Sequence, residues 1–153
     1  MDLFTHSTEF EGALSFSRLD ASHLLSTASP HPFLLEEFLW PTAEHYYQSQ
    51  KFLGPYRDRV AAAASAEEAY TLGNKWFRRK RPDFAKVRRV LMTRALYSKA
   101  QQHPQVKDFL LDTEEKKIIE TSLYGHYWGL GRDQRGENML GRVWMDVRDR
   151  LRQ

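Results

Sequence analysis

Hydrophobic positions through the second half of the chain recur at helical spacing. Phe84, Val87, Leu91 and Ala95 fall at i, i+3, i+7 and i+11 on one stripe, with Lys86, Arg89 and Thr93 opposite, which predicts a helix beginning near Pro82 or Asp83. Leu140, Trp144, Val147 and Leu151 repeat the pattern at the C-terminus, with Asn138 where a cap would stand. Between them, His103-Pro104 breaks the first stripe and opens a short helix bearing Val106, Phe109 and Leu110. Upstream, Ser65 and Glu68 have capping-box spacing ahead of a short helix closed by Gly73. Pro41-Thr42 and Gly54-Pro55 bound a first helix over roughly Thr42 to Leu53. Lys117 to Thr121, with Ile118-Ile119, is the best strand candidate, and four glycines between Ser122 and Glu137 predict a loop. Ser26 to Pro41 reads as irregular, and Leu14, Phe16 and Leu19 fit either a short strand or a turn of helix. The sum is a mainly helical α+β fold with a small sheet, expected to form one domain over residues 1–153.

Composition narrows the function. A chain of 153 residues, 41% hydrophobic and 13% aromatic, can bury a core of its own. Its 23 Lys+Arg against 20 Asp+Glu leave a formal charge of +3, too little for a binder that relies on electrostatics alone. Absent cysteine excludes disulfides and thiol chemistry, and with the lack of a long apolar run or leader-like start it fits a cytoplasmic protein without membrane attachment. The histidines at 6, 23, 31, 45, 103 and 126 show no tight ligand spacing, so neither a metal nor another cofactor is expected. No serine lies in a Gly-x-Ser-x-Gly elbow.

Three stretches could carry chemistry. On the first helix, Glu44, Tyr47, Gln48 and Lys51 share one face. That face is either solvated, or, given Trp40, Tyr46 and Phe52 around it, a place where a carboxylate is desolvated and a planar base stacks. The loop Tyr124-Gly125-His126-Tyr127-Trp128-Gly129-Leu130-Gly131 mixes aromatics with glycines but has no phosphate-binding fingerprint, so a ligand wall and a core-capping turn both remain open. Lys75, Arg78, Arg79, Lys80 and Arg81 surround Trp76 and Phe77, a cluster suited to gripping a phosphate or to serving as a solvated connector.

The run Trp40-Pro41-Thr42-Ala43-Glu44-His45-Tyr46-Tyr47-Gln48-Ser49-Gln50-Lys51-Phe52 resembles the signature of the NADAR superfamily, which includes the YbiA-like proteins. Similarity continues in Gly73, in the helix with Met92, Ala95 and Lys99, in Ile119-Glu120, in Tyr127-Trp128-Gly129-x-Gly131 and in Gly136-x-Asn138-x-Leu140-Gly141. Characterised members are compact α+β proteins that cleave N-glycosidic bonds. Some act on phosphorylated ribosylamino-pyrimidine intermediates of riboflavin synthesis, others remove ADP-ribose from guanine. The resemblance implies a small phosphorylated nucleoside-like or ADP-ribosyl substrate, with nucleic acid a partner only if it carries ADP-ribose. It places Glu44 and Lys51 in the active site: Glu44 beside the sugar, Lys51 as proton donor or as an amine forming a Schiff base. Trp40, His45, Tyr47, Gln48, Lys75, Arg78, Trp128, Gly129 and Asn138 are the candidates for holding the substrate, Trp128 by stacking on the base.

Three departures from the family pattern involve four residues. Thr27-Ala28 replace an Asn-Phe pair, Phe84 stands for a tryptophan, and Gly125 for an aspartate three residues before the loop tryptophan. Asp133 and Glu137 are the nearby carboxylates that could stand in. A chain unable to replace that aspartate would be slow, altered in substrate, or a non-catalytic ADP-ribose binding module.

Overall fold

A computed structural model describes residues 10–123 and 125–153, so Met1 to Glu9 and Tyr124 of the aromatic loop lie outside it. In chain order the elements are β1 (Leu14–Phe16), β2 (Phe33–Leu35), β3 (Phe38–Trp40), α1 (Ala43–Ser49), α2 (Pro55–Ala61), α3 (Ala66–Gly73), α4 (Phe84–Gln102), α5 (Pro104–Asp112), β4 (Ile118–Glu120) and α6 (Met139–Leu151). Helices dominate, and the strands form two separate pairs rather than one small sheet. β1 runs parallel to β4 with Leu14 opposite Ile118 and Phe16 opposite Glu120, which settles the open N-terminal segment as a strand. β2 and β3 form an antiparallel hairpin inside the stretch expected to be irregular. Its two-residue turn is Glu36-Glu37, both left-handed at φ 55 and 63, where hairpins normally use Asn or Gly; the sequence therefore carries no turn signal there.

Thr42 caps α1 as expected, its hydroxyl accepting from the His45 amide at 3.2 Å. The helix stops at Ser49 rather than Leu53, and Gly54-Pro55, expected to close it, instead opens α2: Gly54 turns the chain at φ 90 and Pro55 occupies a first-turn position that needs no N–H. Asn138 stands at the N-cap position of α6, as expected, but its side chain makes no capping hydrogen bond. Held at φ 52, it sends its side chain to β4, accepting from the Glu120 amide at 2.8 Å and donating to Ile118 O at 2.9 Å.

The long helix α4 packs against α1, α5, α6 and β2, burying Leu91, Met92, Ala95, Leu96 and Ala100. Trp144 of α6 is fully buried in the same core and donates from its indole to Leu25 O at 2.8 Å. This core fixes α1 on one side of α4 and, through α6, the β1–β4 pair. The site forms where the ends of β1 and β4 face α1. Among the described residues, no helix is long and apolar enough to cross a membrane.

Candidate active site

All seven residues of α1 are buried, so the polar face is not solvated. Glu44 and Gln48 are 0% exposed, Tyr47 3% and Lys51 4%. A carboxylate with no access to water requires compensation, and Glu44 finds it in Arg18, just beyond β1. Arg18 Nε donates to Glu44 Oε2 at 3.1 Å and Nη2 to Oε1 at 2.7 Å, a two-pronged ion pair. Gln48 Nε2 adds a bond to Oε1 at 2.6 Å, and the Thr27 hydroxyl bonds Oε2. Burial alone would raise the Glu44 pKa; the charge of Arg18 and these hydrogen bonds outweigh it and hold the carboxyl below its usual range.

A second buried carboxylate serves the same arginine. Glu120 of β4 accepts the Arg18 main-chain N–H at 2.8 Å, along with the amide and hydroxyl of Ser122 at 2.9 and 2.7 Å. Three rings surround the guanidinium: its carbon lies 5.3 Å from the centre of Tyr47, 5.5 Å from Tyr70 and 6.0 Å from Trp128. Tyr47 and Trp128 are themselves joined, the indole N–H donating to the phenol oxygen at 3.0 Å. Burial pushes the Tyr47 phenol up to about 12, so it stays neutral.

Lys51 also lies against Tyr47, its Nζ 5.5 Å from the centre of that ring and 5.8 Å from that of Phe84. Its only hydrogen bonds among the described residues are long ones to Gly73 O (3.4 Å) and Asn74 Oδ1 (3.3 Å), and no carboxylate pairs with it. Burial, then the charges of Lys80 and Arg18, lower its pKa to about 7. Near neutral pH a large share of this amine is therefore unprotonated and nucleophilic.

Two cavities meet at this centre, sharing Arg18, Tyr70 and Trp128. The first, about 500 Å³, is walled mainly by Leu19, Leu123, Tyr70, Tyr127 and Trp128, with the hydroxyls of Ser17, Thr121 and Ser122. The second, about 390 Å³, holds Tyr47, Gln48 and Lys51 together with Arg18, Lys80, Arg81 and Arg88. One half is aromatic, the other cationic. No described residue lining either cavity is an aspartate or glutamate.

The site thus gathers Lys51, Tyr47, Gln48 and Trp128 from the sequence candidates and leaves others outside. Glu44 underlies the cavities without lining them. Trp40 donates to Leu35 O at 3.1 Å and packs on Tyr46 and Phe38, in the wall of a separate small hollow. His45 is spent inside the fold, between the Thr42 hydroxyl at 2.7 Å and Ala63 O at 2.9 Å. Gly129 is buried against β4, where an added Cβ would strike the Glu120 carboxylate, so its missing side chain serves packing rather than a ligand. Asn138 is occupied by β4, as described above. From the basic cluster Lys80 and Arg81 reach the second cavity, whereas Lys75 and Arg78 do not; the Arg78 guanidinium lies 4.1 Å from the centre of the Tyr56 ring. Arg18, Tyr70 and Arg88 were not legible as site residues, because none belongs to a motif and each comes from a different element.

The departures now have places. Thr27 supports Glu44, Phe84 lines the second cavity, and Gly125, at φ 81, lines the first, where a Cβ would meet nothing within 4 Å. Asp133 does not replace the aspartate; it pairs with His126 at 2.9 Å, and Glu137 lines neither cavity.

Comparison with known proteins agrees with this architecture. Residues 3–152 match the NADAR domain. An N-glycosidase of Nostoc punctiforme is 36% identical over 131 residues, covering 83% of this chain and 84% of its own. The solution structure of Escherichia coli YbiA matches with a TM-score of 0.81 at 30% identity, over 91% of this chain and 85% of that one. A chloroplastic riboflavin biosynthesis protein of Zea mays, PYRR, is 34% identical over 144 residues, which are 82% of this chain and 23% of that longer protein. The chain belongs to the NADAR family and is a YbiA-like N-glycosidase.

Proposed function

We propose that this enzyme cleaves the ribosyl C–N bond of phosphorylated ribosylamino-pyrimidines, the base lying in the aromatic cavity and the phosphate among the cations of the second. The observation that carries this reading is the division of the cleft: stacking surface on one side of Arg18, Lys80, Arg81 and Arg88 on the other, and Lys51 beside them. The name of the maize relative supports the same substrate class. A single cationic pocket at one end suits a monophosphate better than a pyrophosphate flanked by two nucleosides.

The charge of the cleft also favours one route. A glycosidase that stabilises an oxocarbenium ion places carboxylates at the sugar, and among the described residues the charged groups of the walls are cations alone. Lys51 serves instead as a nucleophile. The lone pair of the ribosylamine nitrogen opens the sugar, C1–O4 breaks, and the electron pair passes to the ring oxygen, which takes a proton. The neutral Lys51 amine adds to C1, a proton moves to the departing nitrogen, and the C1–N bond breaks to release the aminopyrimidine. Water then hydrolyses the lysine imine to ribose 5-phosphate. Glu44 acts in this scheme through Arg18 and Gln48.

Incubation of the purified chain with ribosylamino-pyrimidine phosphates and with ADP-ribosylated guanosine, with released sugar phosphate and base measured, tests the assignment. Release from the first and not the second is expected. Preference for ADP-ribosylated guanosine would overturn the substrate, and tight ADP-ribose binding without release from either would make the chain a binding module.

A further inference from the structure

Arg18 is held more elaborately than any other side chain around the cleft. One buried carboxylate grips two guanidinium nitrogens, a second fixes the main-chain N–H of the same residue, and three aromatic rings enclose it. The remaining nitrogen, Nη1, makes no hydrogen bond among the described residues, and Arg18 lines both cavities where they meet. Two carboxylates removed from water to orient one exposed N–H edge imply a donor aimed at a ligand. With the base on one side and the phosphate on the other, the part of the ligand at this junction is the sugar.

We propose that Arg18 Nη1 donates to the ring oxygen of the ribosyl group and drives ring opening, with Glu44 and Glu120 as its positioning residues. This rests on the lysine route above. In that route the ring oxygen gains negative charge as C1–O4 breaks, which a fixed guanidinium stabilises; in an oxocarbenium route the same oxygen gains positive charge, which it would oppose. The pair of electrons from C1–O4 stays on the oxygen and is neutralised by a proton from water, while the guanidinium remains charged. Lys51 and Arg18 both lie against the Tyr47 ring and line the same second cavity, so both ends of the opening C1–O4 bond have a group assigned to them.

Two aldehyde phosphates separate ring opening from imine formation. Ribose 5-phosphate must open before Lys51 can add; erythrose 4-phosphate, esterified on the oxygen that would close its ring, is already open. With protein in excess and cyanoborohydride present, the mass gained by the chain reports first-turnover trapping of each. The unaltered protein should trap both. Arg18→Lys keeps a charge beside Glu44 but has no second nitrogen to span carboxylate and cleft, so it should slow trapping of ribose 5-phosphate by about 10²-fold, the cost of losing one oxyanion donor, and leave erythrose 4-phosphate trapping within about twofold. Should Arg18→Lys fold poorly by circular dichroism, Arg18→Gln combined with Glu44→Gln removes both buried charges together and should give the same selective loss. Equal loss on both probes, or loss on neither, overturns the role given to Arg18. An unaltered protein that traps neither overturns the lysine route itself.

Discussion

Glu44 and Arg18 form the central ion pair of the cleft, with both carboxylate oxygens engaged by the guanidinium at 2.7 and 3.1 Å. With Gln48 and Thr27 also donating, the carboxylate has no free edge toward substrate. Its contribution is to keep a cation fixed and charged at the junction of the two cavities. Breaking such a buried pair leaves an uncompensated charge, a loss of about 3–5 kcal/mol. Glu44→Gln should therefore lower the urea midpoint markedly as well as the turnover, whereas a carboxylate acting only on substrate would lower turnover and spare stability. Parallel urea titration and turnover measurements distinguish the two.

Lys51 should impose its own pH dependence. The reactive form is the neutral amine, and its pKa lies at about 7. As pH rises through that value, kcat/KM for sugar release should climb and level off. Replacing Lys51 with alanine should remove this limb and lower turnover by about 10²- to 10⁴-fold or more. A profile falling through pH 7 would show instead that the protonated lysine is the working form, as a proton donor.

Much of this site was visible in the chain, but unevenly. The α1 motif exposed Tyr47, Gln48 and Lys51 because helical spacing alone puts them on one face, and aromatic neighbours signalled its burial. The helices α3, α4, α5 and α6 followed from stripes, caps and prolines. Arg18 could not be found this way: it follows a three-residue strand whose parallel partner lies about a hundred residues later, a pairing without local signal. The β2–β3 hairpin was hidden by its Glu36-Glu37 turn. Asn138 and Gly129 looked like ligand residues because packing against β4 imposes as strict a demand as a substrate would.

The basic cluster, together with Arg88 of α4, divides by geometry into residues that should matter to phosphate and residues that should not. Lys80, Arg81 and Arg88 line the second cavity; Lys75 and Arg78 do not. Alanine at any of the first three should raise KM for the phosphorylated substrate with little change in kcat, and the effect should shrink as salt is added. Arg81 should give the smallest change, since Asp83 already engages it at 2.6 and 2.8 Å. Alanine at Lys75 or Arg78 should leave KM unaltered; a comparable rise there would place the phosphate on the outer part of the segment.

Lys99 makes a prediction about stability rather than turnover. It is 1% exposed within the core, its Nζ donating to Ser26 O at 2.7 Å and Ser29 Oγ at 2.5 Å, with no carboxylate pairing with it among the described residues. Burial lowers its pKa from 10.5 to about 7. The unfolded chain thus keeps a proton on this amine up to about pH 10.5 and the folded chain only to about 7, so between those values the unfolded state binds more protons and raising the pH favours folding. The burial penalty is fully present below pH 7 and is relieved progressively above it. Each such lysine can add at most about 1.4 kcal/mol of stability per pH unit, and Lys51 contributes in the same direction. Urea unfolding at intervals from pH 7 to 9 should therefore show rising stability, where a surface-charged domain of this modest net charge would be nearly flat. Lys99→Met, which fills the same space without an amine, should remove roughly half of the rise, and Lys51→Met the other half. An undiminished rise in Lys99→Met would mean that the core amine stays protonated, held by its two oxygen acceptors.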